Sequence, residues 1–310
     1  MTTHFSIIGA TVNPINKLIV SFVKLLPKSV VYLFAKKYIA GEKLEDAVRV
    51  VKELNAKGIV ATIDVLGEAV TSKSESEQAK NECLQVLDTI NQHKLNSNLS
   101  LKPTQLGLVI DPEFGYRQIS EILERAKSYN NFVRIDMEDS PTTDATIAMY
   151  LRLREKYDNV GIVIQAYLKR TLNDVKRPEL AGTNYRLCKG IYIEPEEIAY
   201  KSKQCVRDNF VEILNYLLDN GNYVGIATHD DYLIDKAYEM IQEKKIPENK
   251  FEFQMLYGVK EKLRDKINAD GHKIRIYVPF GEHWYKYSIR RLQENPNMAW
   301  HITKSIFSFN

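Results

Sequence analysis

The sequence predicts an α/β protein folded as a closed (β/α)8 barrel of the TIM type, with extra helices at its N-terminus. Three observations carry this. Eight short apolar or β-branched segments alternate with amphipathic helical ones. Strands separated by helices pair in parallel through right-handed crossovers, and eight such units in about 250 residues suit a closed barrel better than an open doubly wound sheet. No G-x-G-x-x-G follows the first strand, so the usual mark of a dinucleotide-binding open sheet is missing.

Residues 1–40 are apolar and basic, and form an N-terminal helical extension to a single barrel domain at 41–310. They suit one or two helices packed on the barrel; the alternative is a surface helix resting on a membrane, with lysines at its rim. An amphipathic helix opens at Gly41-Glu-Lys-Leu-Glu-Asp, runs to Lys57 and is closed by Gly58. The predicted strands are Ile59–Leu66, Leu99–Leu108, Phe132–Glu138, Gly161–Leu168, Tyr185–Ile193, Tyr223–His229, Phe251–Leu256 and Ile274–Pro279. Helices are predicted at Ser74–Gln92, Gly115–Tyr129, Thr143–Tyr157, Glu196–Asp219, Asp231–Lys244 and Lys260–Asn268. In the last strand Ile274, Ile276 and Val278 alternate with Arg275 and Tyr277; Pro279-Phe280-Gly281 then breaks the run before a final helix.

The 310 residues are 44% hydrophobic and 27% charged, an ordinary globular composition with enough apolar mass for one barrel-sized core. A net charge of +3 and the lack of a recognition motif argue against nucleic acid. Cys83, Cys188 and Cys205 have no metal-like spacing, and their odd number suits reduced thiols in a cytoplasmic compartment. No histidine pair has ligand spacing, so no metal is indicated. No apolar run reaches membrane-spanning length, and no secretory signal with a cleavage site is apparent.

Barrel chemistry sits at the C-terminal ends of the strands, so polar residues late in each strand are the candidates. The second strand offers Lys102, the third Arg134, Asp136 and Glu138, the fourth Gln165, and the fifth Arg186 and Lys189. The sixth ends at Thr228-His229-Asp230, the seventh at Glu252 and Gln254, and the eighth carries Tyr277. Singly, each has a structural account, such as pairing with a strand-end carboxylate. Recurring in seven strands of eight, they describe a wide, mainly basic mouth suited to an anionic ligand with more than one phosphate. On the final helix Tyr287, Arg290, Arg291 and Glu294 are spaced to share one face. Adjacent arginines hold a small carboxylate by bidentate hydrogen bonds, a task lysine does poorly. The plainer reading is a solvated face with an ordinary Arg290–Glu294 pair.

Nine stretches, in order, carry a resemblance: YIAGEKLEDAV, DVLGEAV, SLKPTQLGL, VRIDMEDSP, GIVIQAYLKRT, RLCKGIYIEP, ATHD, FEFQMLYGV and YVPFGEHWYKYSIRRLQENP. Together they resemble the proline dehydrogenases, in the monofunctional bacterial form, over nearly the whole chain from Tyr38. The resemblance implies a distorted barrel with FAD at the strand ends and the last helix over the mouth. It implies oxidation of L-proline to Δ1-pyrroline-5-carboxylate, the first step of proline catabolism to glutamate. A ring-carbon hydride would pass to the flavin N5, and electrons onward to a quinone. It also implies a separate pyrroline-5-carboxylate dehydrogenase downstream and a cytoplasmic location, with peripheral contact at the inner face of the membrane.

Roles follow position by position from the same resemblance. Arg290, Arg291 and Lys102 match the clamp on the proline carboxylate. Asp136, Tyr277, Leu256 and Tyr287 would wall the ring, with Asp136 and Met137 also reaching the cofactor. Gln165 and Arg186 would contact the flavin, and Cys188, Lys189, Gly190 and Tyr192 would line its isoalloxazine and phosphate path. Thr228 and His229 would meet the far end of the cofactor, and Glu294 would bond within the closed lid. Two positions depart from the family pattern. Cys188 stands where an aliphatic residue is usual, and Pro103 follows Lys102 where an aliphatic residue is common. Proline biases Lys102 toward extended geometry and removes a strand donor. Two rivals remain: a barrel aldolase using Lys102 or Lys189 as a Schiff base, and a barrel that binds a ligand without catalysis.

Overall fold

Along each strand every second residue is apolar and buried, as at Ile63, Leu99, Ile135, Ile162, Leu187, Ile226, Phe253 and Ile276. That face packs against the helices in one continuous hydrophobic cluster. The intervening residues are mostly polar and point into the barrel, because their hydrogen bonds cross between strands that are not neighbours. Arg275 donates to Asn98, Arg186 to Ser100, and Tyr277 to Asp136.

A computed structural model describes residues 28–67, 69–285 and 287–289. It begins with α1 (Lys28–Ala35) and α2 (Leu44–Asn55), followed by β1 (Val60–Val65) and α3 (Lys73–Gln92). The next units are β2 (Ser97–Leu101) with α4 (Pro112–Ser128), β3 (Val133–Ile135) with α5 (Ser140–Arg154), and β4 (Val160–Gln165) with the short α6 (Thr171–Val175). They continue with β5 (Asn184–Cys188) and α7 (Lys203–Asp219), β6 (Tyr223–Ala227) and α8 (Asp231–Glu243), β7 (Phe251–Leu256) and α9 (Glu261–Ala269), then β8 (Ile274–Phe280). The eight strands close in sequence order, β8 pairing with β1, and all pairs are parallel.

Two expectations need correction. The second strand does not run to Leu108: it stops at Leu101, and Pro103–Leu106 form a 3-10 turn. Pro103 has no N–H for the ladder and suits the first position of a helical turn. Lys102 is extended, at φ −108° and ψ 120°, as the proline after it favours. The helix expected from Glu196 begins only at Lys203, with Ser202 as its cap. The preceding stretch is instead pinned along the end of β4: Lys169 N–H donates to Ile198 O at 2.9 Å, and Tyr200 N–H to Tyr167 O at 2.8 Å.

The N-terminal segment closes against the end of the barrel. Ala40 N–H donates to Pro279 O, and Gly281 N–H to Gly41 O. Residues 284, 285 and 287–289 are helical, and Trp284 Nε1 donates to Glu42 Oε1 at 2.6 Å.

Candidate functional site

Burying charges inside a barrel is costly unless each finds a partner. Here they do, in a network at the C-terminal end. Lys102, one residue past β2, donates to Asp64 Oδ1 at 2.5 Å and lies 3.8 Å from Asp136 Oδ2. Asp136, one residue past β3, accepts from Tyr277 Oη at 2.9 Å, from Ser100 Oγ at 2.7 Å and from Arg186 Nη1 at 2.9 Å. Arg186 also donates from Nε to Gln254 Oε1 at 2.6 Å, and its guanidinium carbon stands 5.3 Å from the Tyr277 ring centre.

The electrostatics follow from this packing. Burial works against the Lys102 ammonium, but the Asp64 and Asp136 carboxylates outweigh it and hold the pKa above the ordinary lysine range. Burial, then the Asp136 and Asp64 charges, push the Tyr277 phenol well up, so it stays a hydrogen-bond donor. Glu138 is raised by burial even though Thr104 donates to it from both N–H and Oγ1. Burial pushes the Cys188 thiol up to about 11, away from nucleophilic chemistry at neutral pH.

Above the network opens a cavity of about 680 Å3 to which every strand, or the turn after it, contributes. Its floor is Asp64, Lys102, Asp136, Arg186, Gln254 and Tyr277. One wall is Met137, Gln165, Cys188, Lys189, Gly190 and Tyr192; another is Thr228, His229, Leu256 and Tyr287. Gln165 Nε2 donates to Glu138 O at 2.8 Å, which sets the orientation of its amide. His229 Nε2 accepts from Leu256 N–H at 2.8 Å, so the ring is neutral in this arrangement. Lys189 Nζ lies 3.5 Å from Asp230 Oδ2, and Arg207 holds the same carboxylate at 2.6 Å. Gly190 has φ +101°, and a Cβ there would lie 2.0 Å from the Tyr167 ring. Only glycine lets the chain turn so close to that ring.

Every residue given a role by the family resemblance that falls within the described residues lines this one cavity, as does Gln254; the other strand-end candidates, Arg134, Glu138, Asp230 and Glu252, do not. Arg290, Arg291 and Glu294 lie outside the described residues. Sequence reasoning missed Asp64, Ser100 and Tyr38. Asp64 was visible as a polar residue late in the first strand, within DVLGEAV, and it completes the set of eight. Tyr38 had no local signal: it reaches the cavity because Lys37 O packs where a Cβ of Gly258 would otherwise sit, 1.5 Å away.

A closed parallel barrel with a large strand-end cavity, floored by partnered charges, has the architecture of the (β/α)8 class, whose enzymes carry their chemistry at the C-terminal face. The sequence matches the proline dehydrogenase family over residues 47–303, and the chain belongs to that family of FAD-dependent oxidoreductases, which act in proline catabolism. It is 38% identical to proline dehydrogenase 1 of Bacillus subtilis (strain 168), over 88% of this chain and 91% of the relative. It is 32% identical to the proline dehydrogenase of Deinococcus radiodurans, over 89% of this chain and 91% of that one. Among solved structures it superposes on proline utilization A of Bdellovibrio bacteriovorus, inactivated by N-propargylglycine, with a TM-score of 0.78 and 28% identity. That match covers 84% of this chain and 32% of the longer protein. Among the described residues no helix is long and apolar enough to cross a membrane.

Proposed function

We propose that this chain oxidises L-proline to Δ1-pyrroline-5-carboxylate with FAD in the strand-end cavity, and passes the electrons to a quinone. The observation that carries the reading is the floor network, in which Lys102, Arg186 and Tyr277 converge on Asp136 beneath a cavity of about 680 Å3. The volume lies within the usual range for small-molecule and cofactor sites. The donor set fits an anionic flavin dinucleotide: Gln165 and Arg186 for the ring, Lys189 and the glycine turn at Gly190 for the phosphates, Thr228 and His229 for the far end.

When bound, FAD supplies the hydride acceptor, and the protein supplies position and electrostatics. Lys102, held as an ammonium, offers its charge to the proline carboxylate together with Arg290 and Arg291. That cationic clamp lowers the basicity of the proline nitrogen, favouring the neutral amine that oxidation requires. Leu256, Tyr277 and Tyr287 wall the ring, restricting its orientation and excluding water; orientation of this kind is worth several kcal/mol of barrier. Arg186 places positive charge beside the cofactor. The product passes to a separate dehydrogenase.

The aldolase rival loses ground on Lys102, because a Schiff-base lysine must give up its proton and two carboxylates oppose that. The purified protein is expected to be yellow and to bleach anaerobically on addition of L-proline. A colourless protein that takes up no FAD, or a borohydride-trapped adduct on Lys102, overturns the reading.

A further inference from the structure

Glu252 and Gln254 are the second and fourth residues of β7 and have no part in the chemistry proposed above. Glu252 is 2% exposed and gripped by cations: Arg275 Nε lies 2.6 Å from its Oε1, Arg275 Nη2 3.1 Å from its Oε2, and Lys273 Nζ 3.1 Å from its Oε2. Burial works against that carboxylate, but Arg275 and then Lys273 bring its pKa down to about 2, so it is ionised at any working pH. An ionised carboxylate has no proton to donate. The Gln254 amide must therefore turn its Nε2 toward Glu252 Oε1, 2.7 Å away.

That turn decides the other end of the amide. Gln254 Oε1 faces Arg186 and accepts from Nε at 2.6 Å. Space for this arrangement is built in at Gly225 of β6, where a Cβ would lie 2.3 Å from Gln254 Nε2. Arg186 then has Nε committed to Gln254, and Nη1 committed to Ser100 and Asp136. Among the described residues no hydrogen bond uses Nη2, and Arg186 lines the cavity. A planar guanidinium held at two of its three nitrogens has one orientation left.

We propose that Glu252 is a positioning residue that acts through the Gln254 amide, fixing the plane of Arg186 so that its remaining edge serves the cavity. This rests on the reading of Arg186 as a cofactor contact. If Glu252 served only to plug the barrel floor, its loss would lower stability and leave the flavin unaffected.

The test uses the purified holoenzyme and four variants: Glu252→Gln, Gln254→Met, the double variant, and Arg186→Lys. The readouts are the visible flavin spectrum, the flavin reduction potential, kcat/KM for proline and the denaturation midpoint. Glu252→Gln and Gln254→Met are each expected to alter the spectrum, lower the potential and reduce kcat/KM by about tenfold, the lower end for a charge-assisted hydrogen bond. The double variant is expected to be no worse than Gln254→Met alone, since both act through one amide. Additive effects, or a lowered midpoint with unchanged spectrum and potential, overturn the positioning role. A shift in Arg186→Lys with none in the other variants sinks the positioning role alone. No shift in Arg186→Lys itself sinks the reading of Arg186 as a cofactor contact. Should Glu252→Gln fail to fold, Gln254→Met leaves the Glu252–Arg275 ion pair in place and carries the test.

Discussion

Lys102 sits 2.5 Å from the buried Asp64 carboxylate, for which it is the ion-pair partner, and 3.8 Å from Asp136, which Arg186 also holds at 2.9 Å. Removing it in Lys102→Met leaves the Asp64 carboxylate without a cation, while Asp136 keeps Arg186 at 2.9 Å; an unpaired buried carboxylate costs about 3–5 kcal/mol where no proton takes the cation's place. The sign of the pH dependence follows. A carboxyl buried without its partner has a raised pKa in the folded state, so the folded variant binds more protons than the unfolded chain and gains stability as pH falls. Lys102→Met is thus expected to be more stable at about pH 5 than at about pH 7, with kcat/KM for proline down about ten- to hundredfold. Denaturant midpoints at the two pH values check this, and equal midpoints would show that Asp64 does not depend on Lys102. Lys102, Asp136, Gln165 and Tyr277 were legible in the sequence because each is a polar residue at or near a strand end. The partner set was not. Which carboxylate meets Lys102 depends on the register in which β1 pairs with β2, which sets Asp64 opposite Ser100.

The strands were legible as elements, since each carries the period-two pattern, but their ends were not. Hydrophobic residues continue past the last ladder bond, as at Ile191 and Ile193 after β5. What the chain does beyond that point is set by a glycine turn and tertiary hydrogen bonds. Glu194 is the clearest case: its carboxylate accepts from both N–H and Oγ of Ser140, at 2.6 Å each, tying the segment after β5 to the start of α5. A helical pattern at Glu196–Ser202 gave way to those contacts. The glycine turn yields a prediction at this scale. Gly190→Ala places a residue with a side chain at φ +101° and its Cβ against the Tyr167 ring. The expected cost is about 1–3 kcal/mol from backbone strain alone, with flavin content falling in parallel because the turn lines the cavity. Denaturation and the flavin-to-protein absorbance ratio measure the two effects separately. Stability lost at full flavin content would remove Gly190 from the cofactor path.

The barrel as a whole departs from the common arrangement in which branched apolar side chains fill the interior in layers. Its interior is polar from floor to mouth, from Arg275 and Glu252 through Gln254 and Arg186 to Asp136 and Lys102. On sequence alone an alternating strand reads as half solvated; closure turns that polar half inward, and only pairing across the barrel makes it affordable. A site built from the ends of all eight strands also couples ligand to fold. A ligand that binds only the folded chain stabilises it by about 2.7 kcal/mol at a hundredfold excess over Kd. For a domain of this size each kcal/mol is worth about 2–4 °C in Tm. Protein stripped of FAD is therefore expected to melt about 5–10 °C lower than the loaded form, and to recover when FAD is restored. Riboflavin, which lacks the phosphates, is expected to recover only part of that shift, because it forgoes Lys189 and the glycine turn. Equal recovery by riboflavin would show that the phosphate path lies elsewhere, and an unchanged Tm on adding FAD would remove the cofactor from this cavity.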